Sequence, residues 1–251
     1  MALINTANKL YVGATPVDKV YAGSNLVWSS ASPFLPSDLP GLVVWFDASQ
    51  ASTSSPWENL GSGPDMPVQG TPAPVIQPST LNGLPVMHYK MGEGRHRITS
   101  GTGANFDYTL FHLTRLWGTN SGRVVTAVYP GGGNMVCGFW NGFKDVGYAD
   151  GFYGDQKPYV VGEWKLYTVD CDTPTIQPRL MSDGVQVGIL FPTPPSTAGF
   201  NGTLAISGYA DPSDEETCDA DVAVVIQYNR KLPDAEREQV LGYIRAKWGT
   251  P

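Results

Sequence analysis

The chain has 251 residues, a formal net charge of −7 and only 16% charged residues, with 29 Gly and 21 Pro scattered between apolar runs. This length accommodates one large all-β domain with a small appendage. The acidic balance repels phosphate and no run of Lys or Arg offsets it, which argues against a nucleic-acid partner.

The N-terminal segment predicts a small β module. Residues 9–28 contain three short β-rich runs separated by Gly-Ala-Thr-Pro and Ala-Gly-Ser-Asn turns. Three such strands are too few to be stable alone, so we expect residues 1–30 to form a meander that needs a partner surface. Residues 31–40, which are rich in Ser and Pro, have the composition of a linker.

The sequence shows no recognisable targeting signal. The opening Met-Ala-Leu-Ile-Asn-Thr lacks the basic and apolar regions of a signal peptide, so we expect folding in a cytoplasm. Residues 124–143 are uncharged and long enough to span a membrane, but Pro130 and the glycines after it break any helix there. The sequence therefore predicts no transmembrane segment and no membrane partner.

Residues 41–251 predict one antiparallel β-sandwich. The domain opens with the continuous apolar run 42–48, which suits a buried strand, and the whole region contains about ten such runs. Asn-Gly and Asp-Gly pairs between the runs, such as Asn141-Gly142 and Asp183-Gly184, favour hairpin turns. Short strands at regular spacing with these turns are typical of a sandwich.

The C-terminus predicts the one convincing helix, over residues 233–248. Acidic residues lie in its first turn, and Arg245 and Lys247 lie in its last turn, as the helix dipole favours. Gly249 ends it. We expect one stripe of the helix to dock on the sandwich. The residues of that stripe are Arg237, Val240, Leu241, Ile244 and Trp248.

The main domain resembles a known family in several segments. They include residues 39–49 (Leu-Pro-Gly-Leu-Val-Val-Trp-Phe-Asp-Ala-Ser), 57–61 (Trp-Glu-Asn-Leu-Gly) and 225–237, which open with Val-Ile-Gln-Tyr-Asn-Arg. These segments resemble the concanavalin A-like or laminin-G-like domains of phage tail proteins and bacterial surface proteins. The resemblance implies an all-β jelly roll with antiparallel sheets.

The first 28 residues resemble a different module, found at the N-termini of actinobacteriophage tail proteins. Its Tyr-Val-Gly, Lys-Val-Tyr and Leu-Val-Trp runs carry the likeness. The resemblance implies a virion location, contact with other virion proteins through residues 1–30, and compatibility with a homo-oligomer such as a trimer. The residues expected to anchor the chain are Tyr11, Val20, Tyr21 and Trp28.

Catalytic residues are not evident in the sequence. A sugar-cleaving sandwich needs two or three carboxylates close together, and no Glu-x-Asp-x-Glu pattern occurs. The nearest pairs, Asp170 with Asp172 and Asp219 with Asp221, border turns and favour solvated strand ends. The three histidines have no metal-ligand spacing, and no serine lies in a nucleophile elbow. We therefore expect the chain not to be an enzyme.

An aromatic and polar stretch, residues 139–155, predicts a glycan-binding surface, because sugar rings stack on aromatic rings and sugar hydroxyls need small polar partners. Core packing is the alternative explanation for any single aromatic residue in it. The candidate ligand-binding residues are Trp140, Asn141, Tyr148, Tyr153 and Asp155.

Acidic residues gather in the segment 211–221. Oxygen ligands at this density suit Ca²⁺ through Asp214, Glu216 and Asp219, although the spacing fits no EF-hand and a flexible acidic loop is the favoured explanation. No other cofactor is expected. The odd number of cysteines, Cys137, Cys171 and Cys218, predicts buried free thiols.

These observations leave several functional hypotheses. The leading one is a minor tail protein of a phage virion whose sandwich contacts host-surface glycan. One alternative is a capsid decoration or head fibre protein without a ligand. A second alternative is a glycan hydrolase or a bacterial surface lectin, which the missing carboxylate motif and the missing signal peptide disfavour.

Overall fold

The structure is a computed structural model, and it describes residues 10–12, 15–17, 19–22, 25–29, 34–98, 104–105, 107–128, 134–148, 151–172, 178–187, 200–201, 203–209 and 216–250. The chain divides into two compact units, Met1–Leu35 and Pro36–Pro251.

In its described residues the first unit contains four short strands: β1 (Leu10–Val12), β2 (Thr15–Val17), β3 (Lys19–Ala22) and β4 (Asn25–Ser29). β1 pairs with β2 and β3 pairs with β4, both antiparallel. The three-stranded meander expected from the sequence is thus two hairpins, because Thr15 and Pro16 lie in a strand rather than in a turn. The side chains of Tyr11, Val20, Tyr21 and Trp28 lie outside the described residues, so their anchoring role stays a prediction.

The described part of the second unit contains eighteen further strands. In chain order they are β5 (Leu42–Asp47), β6 (Val68–Gln69), β7 (Val75–Leu81), β8 (Leu84–Tyr89), β9 (Arg95–Ile98), β10 (Ala104–Asn105), β11 (Tyr108–Leu116), β12 (Val125–Val128), β13 (Asn134–Trp140), β14 (Phe143–Tyr148), β15 (Phe152–Tyr153), β16 (Lys157–Pro158), β17 (Lys165–Cys171), β18 (Arg179–Ser182), β19 (Val185–Gln186), β20 (Phe200–Asn201), β21 (Thr203–Ile206) and β22 (Ala220–Tyr228).

These strands form two eight-stranded antiparallel sheets, which confirms the predicted β-sandwich. The first sheet has the order β19-β18-β17-β11-β22-β8-β7, with β5 also paired to β22. The second sheet has the order β15-β14-β13-β12-β21-β9-β6, with β16 beside β14. β10 and β20 form a separate two-stranded ladder.

Strand β22 is the centre of the first sheet, and all nine of its residues are buried. One edge pairs with β11 along its length. The other edge is shared, because Ala220–Val222 pair with β8 and Val224–Tyr228 pair with β5. A strand covered on both faces and both edges explains a continuous Val-Ala-Val-Val-Ile run instead of an alternating one.

Aromatic side chains fill the space between the sheets. Phe139 of β13 packs edge-on against Tyr167 of β17, with ring centroids 5.4 Å apart. Trp57 is fully buried and contacts Phe46 of β5 and His96 of β9, each at 5.5 Å. These contacts join residues of opposite sheets and fix the core.

The helix α1 (Asp234–Trp248) covers the first sheet, and the predicted stripe is confirmed residue by residue as its buried face. Tyr243 packs edge-on against Trp45 of β5, and the Lys247 ammonium donates a 2.6 Å hydrogen bond to the buried Asp47 carboxylate. Gly249 ends the helix in the left-handed conformation, where its N–H bonds to the Arg245 carbonyl. Among the described residues, no helix combines the length and apolarity that crossing a membrane requires.

Candidate functional site

A cavity of about 390 Å³ lies where four loops meet at one end of the sandwich. The loops follow β8 and β11, join β13 to β14, and precede β22. The residues that line the cavity are Met91, Thr119, Asn120, Ser121, Gly122, Trp140, Asn141, Glu216 and Thr217.

Backbone contacts hold the loop after β11 against the segment before β22. The Arg123 N–H donates to the Glu216 carbonyl at 2.8 Å, and the Asp219 N–H donates to the Asn120 carbonyl at 2.9 Å. A side chain at Gly122 would overlap the Glu216 carbonyl, so only glycine permits this approach. The two chain segments therefore form one continuous wall.

Glu216 is the charged group of the cavity. Its Oε2 accepts hydrogen bonds from Arg123 Nε and, at 3.1 Å, from the Trp140 indole Nε1. Arg123 is nearly buried, and its guanidinium lies over the Tyr209 ring at 3.8 Å and donates to the Tyr209 hydroxyl at 2.8 Å. Arg123 and Trp140 thus fix the position of the Glu216 carboxylate.

Asp219 lies behind the polar wall. Its carboxylate accepts hydrogen bonds from Asn120 Nδ2 at 2.6 Å and from the Met91 N–H at 3.0 Å. Only 4% of the residue is exposed. Asp219 therefore holds the loops after β8 and β11 in place and does not face the cavity.

Trp140 belongs to a small aromatic cluster on the second sheet. Its ring lies 4.5 Å from that of Phe152, which in turn lies 4.9 Å from Tyr148. Phe152 is 42% exposed and Trp140 is half-buried. The cluster supports Trp140 from the side and fixes its ring at the cavity edge.

The predicted ligand-binding residues separate into three groups. Trp140 and Asn141 line the cavity, and Tyr148 supports Trp140 through Phe152. Tyr153 is only 5% exposed and packs against Gly147, so its ring belongs to the core and does not fit a ligand-contact role. Asp155 is exposed and pairs with Lys157 at 2.6 Å.

Sequence reasoning missed the loop after β11, which supplies Thr119, Asn120, Ser121 and Gly122 to the cavity. Its sequence signal is a Gly-Thr-Asn-Ser-Gly run between two apolar strands. Such a run predicts a turn, but it does not reveal that Glu216, almost a hundred residues later, packs against it.

The residues predicted to bind calcium do not form a group of ligands among the described residues. Glu216 and Asp219 bind different protein donors, and Asp214 lies outside the described residues. In the part of the chain that the structure describes, no three His, Cys, Asp or Glu side chains are placed to hold a metal ion.

The interpretation of Asp170, Asp219 and Asp221 as solvated strand ends is wrong, since all three are buried. Asp170 binds Arg179 at 2.6 Å. Asp221 accepts from Arg115 at 2.7 Å and contacts His88 Nδ1 at 2.6 Å. These carboxylates pair neighbouring strands because a buried charge requires a partner.

Comparison with known proteins shows the fold. No protein-family model matches the chain, and no curated protein sequence matches it. Among solved structures, it is similar to a Trypanosoma rangeli sialidase in complex with sialic acid, with a TM-score of 0.56, 14% identity and 94% of this chain covered. A complex of that sialidase with the inhibitor DANA gives a TM-score of 0.52, 15% identity and 83% coverage. The chain spans only about a third of the sialidase, 37% and 34% in the two complexes.

A second similar structure is nearly the same size. It is domain 4 of an extracellular GH43 arabinanase from Geobacillus stearothermophilus in complex with arabinotriose. The TM-score is 0.53 at 12% identity, with 80% of this chain and 97% of that chain covered. The sialidase and the arabinanase domain were each solved with a sugar bound, and neither supports the phage-tail resemblance.

The prediction that the chain is not an enzyme is wrong, because the same fold occurs in enzymes that cleave glycans. Its fold occurs in a sialidase and in a domain of an arabinanase, both of which are glycoside hydrolases. The shared fold therefore gives no ground for excluding glycan cleavage.

Proposed function

We propose that residues 36–251 are a glycan-binding module and that the cavity around Trp140 and Glu216 is its binding site. The observation that carries the proposal is the lining itself, which places an aromatic ring beside a fixed carboxylate, an amide and several hydroxyl groups. Sugar recognition uses this combination, because the ring covers the apolar face of a sugar while polar groups bind its hydroxyls.

The size of the cavity supports the same ligand class. A volume of about 390 Å³ lies at the lower end of ligand pockets, which span roughly 300–1,000 Å³. It suits one or two sugar rings. The arabinanase domain of similar size, crystallised with arabinotriose, lends further support through its shared fold.

A binding screen tests the proposal. The full chain is titrated calorimetrically with arabinan, galactan, polygalacturonate and sialyl oligosaccharides, and each mixture is also assayed for released sugar, so that binding and cleavage are measured together. We expect binding to at least one glycan and a loss of about tenfold or more for Trp140→Ala.

Phe143→Ala is the matched control, because Phe143 is an exposed aromatic on the same hairpin that does not line the cavity. This variant should bind as the wild type does. If Trp140→Ala binds every glycan with unchanged affinity, the cavity is not the site.

We also propose that residues 1–30 anchor the module in a phage virion, where it would contact a host-surface glycan as a minor tail protein. The support is the sequence resemblance of residues 1–28, and a capsid decoration or head fibre protein remains the alternative placement. In the full chain, Tyr21→Ser with Trp28→Ser should abolish incorporation into particles, as measured by mass spectrometry of purified virions, while Trp140→Ala should incorporate normally. Normal incorporation of the first variant would remove the anchoring hypothesis.

A further inference from the structure

We propose that the cavity selects neutral glycans and discriminates against glycans that carry carboxylates. This inference rests on the proposed glycan-binding function and names its ligand class. It follows from which charged atoms reach the cavity and which are already neutralised.

Among the described residues that line the cavity, Glu216 is the one ionisable residue, and none of them is Lys, Arg or His. Its Oε2 accepts both protein hydrogen bonds, from Arg123 and Trp140. Its Oε1 accepts none from the described residues, and the side chain is 33% exposed. Within the part of the chain that the structure describes, the cavity thus presents one negatively charged acceptor, Glu216 Oε1, to a ligand.

Arg123 is the cation nearest this carboxylate, and it cannot serve an acidic ligand. Its side chain is only 7% exposed and lies behind Glu216, to which Nε donates. One terminal nitrogen is bound to the Tyr209 hydroxyl, and the other is buried away from solvent. The guanidinium therefore neutralises Glu216 in part but offers no contact surface to the cavity.

Lys90 precedes Met91 of the cavity wall, but it does not line the cavity. It is an exposed residue whose ammonium lies 3.8 Å from Glu93. No described cation is thus placed to pair with a ligand carboxylate in this site.

Sugar hydroxyls and sugar carboxylates should interact differently with the Glu216 carboxylate. A hydroxyl can donate to Glu216 Oε1, and hydrogen bonds to an ionised acceptor are the stronger kind. A carboxylate donates nothing and is repelled by the same oxygen across a short distance. We expect the acidic member of a matched glycan pair to bind at least about tenfold more weakly.

Matched pairs made from the glycans of the binding screen test this inference. Galactan is compared with galactan oxidised at C6, and polygalacturonate is compared with its carboxyl-reduced form, so that CH₂OH and COO⁻ are exchanged on the same backbone. Any sialyl oligosaccharide that binds is likewise compared with its carboxyl-reduced form. Wild-type protein should prefer the neutral member of each pair.

Glu216→Gln tests the cause, because it removes the charge and keeps the side-chain shape and an acceptor oxygen. The ratio between neutral and acidic affinity should fall to within about threefold of unity. If this variant unfolds, the salt dependence of glycan binding by the wild-type protein provides the test instead. Raising the salt from about 0.05 M to about 0.5 M should narrow the same ratio, because ions screen partly exposed charges.

The outcomes separate the two proposals. Equal or tighter binding of the acidic members, still abolished by Trp140→Ala, overturns the selection for neutral glycans and leaves the binding site in place. Absence of Trp140-dependent binding to any glycan, converted or not, overturns both.

Discussion

The indole nitrogen of Trp140 lies 3.1 Å from Oε2 of Glu216, 76 positions later in the chain, and donates a hydrogen bond to it. The bond connects the hairpin of the second sheet to the loop that leads into the central strand of the first sheet. It sets the position of the aromatic ring and of the charged acceptor at the same time.

Trp140→Phe separates the contribution of the aromatic ring from that of the indole hydrogen bond. Phenylalanine keeps an aromatic ring at the cavity edge but cannot donate to Glu216, whose carboxylate then keeps Arg123 as its one side-chain donor among the described residues. The bond is internal to the protein, so its loss affects binding through looser placement of the ring and the carboxylate, and glycan affinity should fall by about threefold, less than the loss of about tenfold or more expected for Trp140→Ala. Calorimetric titration measures it. Unchanged affinity would show that the indole N–H has no part in binding.

The sequence predicted features that a single segment determines. The buried stripe of the helix, which includes Ile244 and Trp248, follows from the spacing of apolar residues, and the strand nature of 222–226 follows from its composition. Both depend on the pattern of apolar residues within one segment, which can be read without knowing the partners of that segment.

Features that join distant segments were not predictable in this way. Tyr153 and Trp140 are both aromatic, yet one fills the core and the other lines the cavity, because strand pairing alone decides which face each occupies. Asp221 was assigned to a solvated strand end because its partners, Arg115 and His88, lie on other strands. Only the sheet order brings these charges together.

The three cysteines should be unreactive in the folded protein. Cys137, Cys171 and Cys218 are free and buried, which confirms the sequence-based prediction. Burial raises the pKa of each thiol to about 12, so almost no thiolate exists at pH 8. A chromogenic disulfide reagent should modify all three only after denaturant is added. Rapid modification of the native chain at pH 8 would contradict the burial.

Stability should decrease between about pH 6.5 and pH 4 because of His96. Burial lowers the pKa of this side chain from 6.5 to about 4. Its two ring nitrogens lie 2.6 Å from the Tyr89 hydroxyl and 2.7 Å from the Ser54 carbonyl, which suits a neutral ring that accepts from the first and donates to the second. The unfolded chain therefore binds a proton at a higher pH than the folded chain does.

This difference in proton binding sets the direction and the size of the change in stability with pH. The contribution of neutral His96 is fully present above pH 6.5 and is lost as the pH falls towards about 4. It amounts to about 3 kcal/mol of unfolding free energy. Denaturant titrations at several pH values measure the slope, and His96→Gln should reduce it while lowering stability at neutral pH, leaving the part that His112 contributes because burial lowers its pKa to about 3. An identical slope in the variant would assign the acid sensitivity to other groups.

Helix α1 docks on the first sheet through its buried stripe. Ile244 is fully buried within the stripe, whereas Gln239 is exposed on the opposite side of the same helix. An aspartate at position 244 would place an unpaired carboxylate among apolar side chains, at a cost of several kcal/mol from a total stability of about 5–15 kcal/mol.

Ile244→Asp should therefore lower the melting temperature by about 10 °C or more, because each kcal/mol shifts a domain of this size by roughly 2–4 °C. Gln239→Asp introduces the same residue at an exposed position of the helix and should shift it by no more than about 2 °C. Thermal unfolding followed by circular dichroism compares the two variants. Equal melting temperatures would mean that the helix contributes nothing to the sandwich, against the contact of Tyr243 with Trp45 and the hydrogen bond of Lys247 to Asp47.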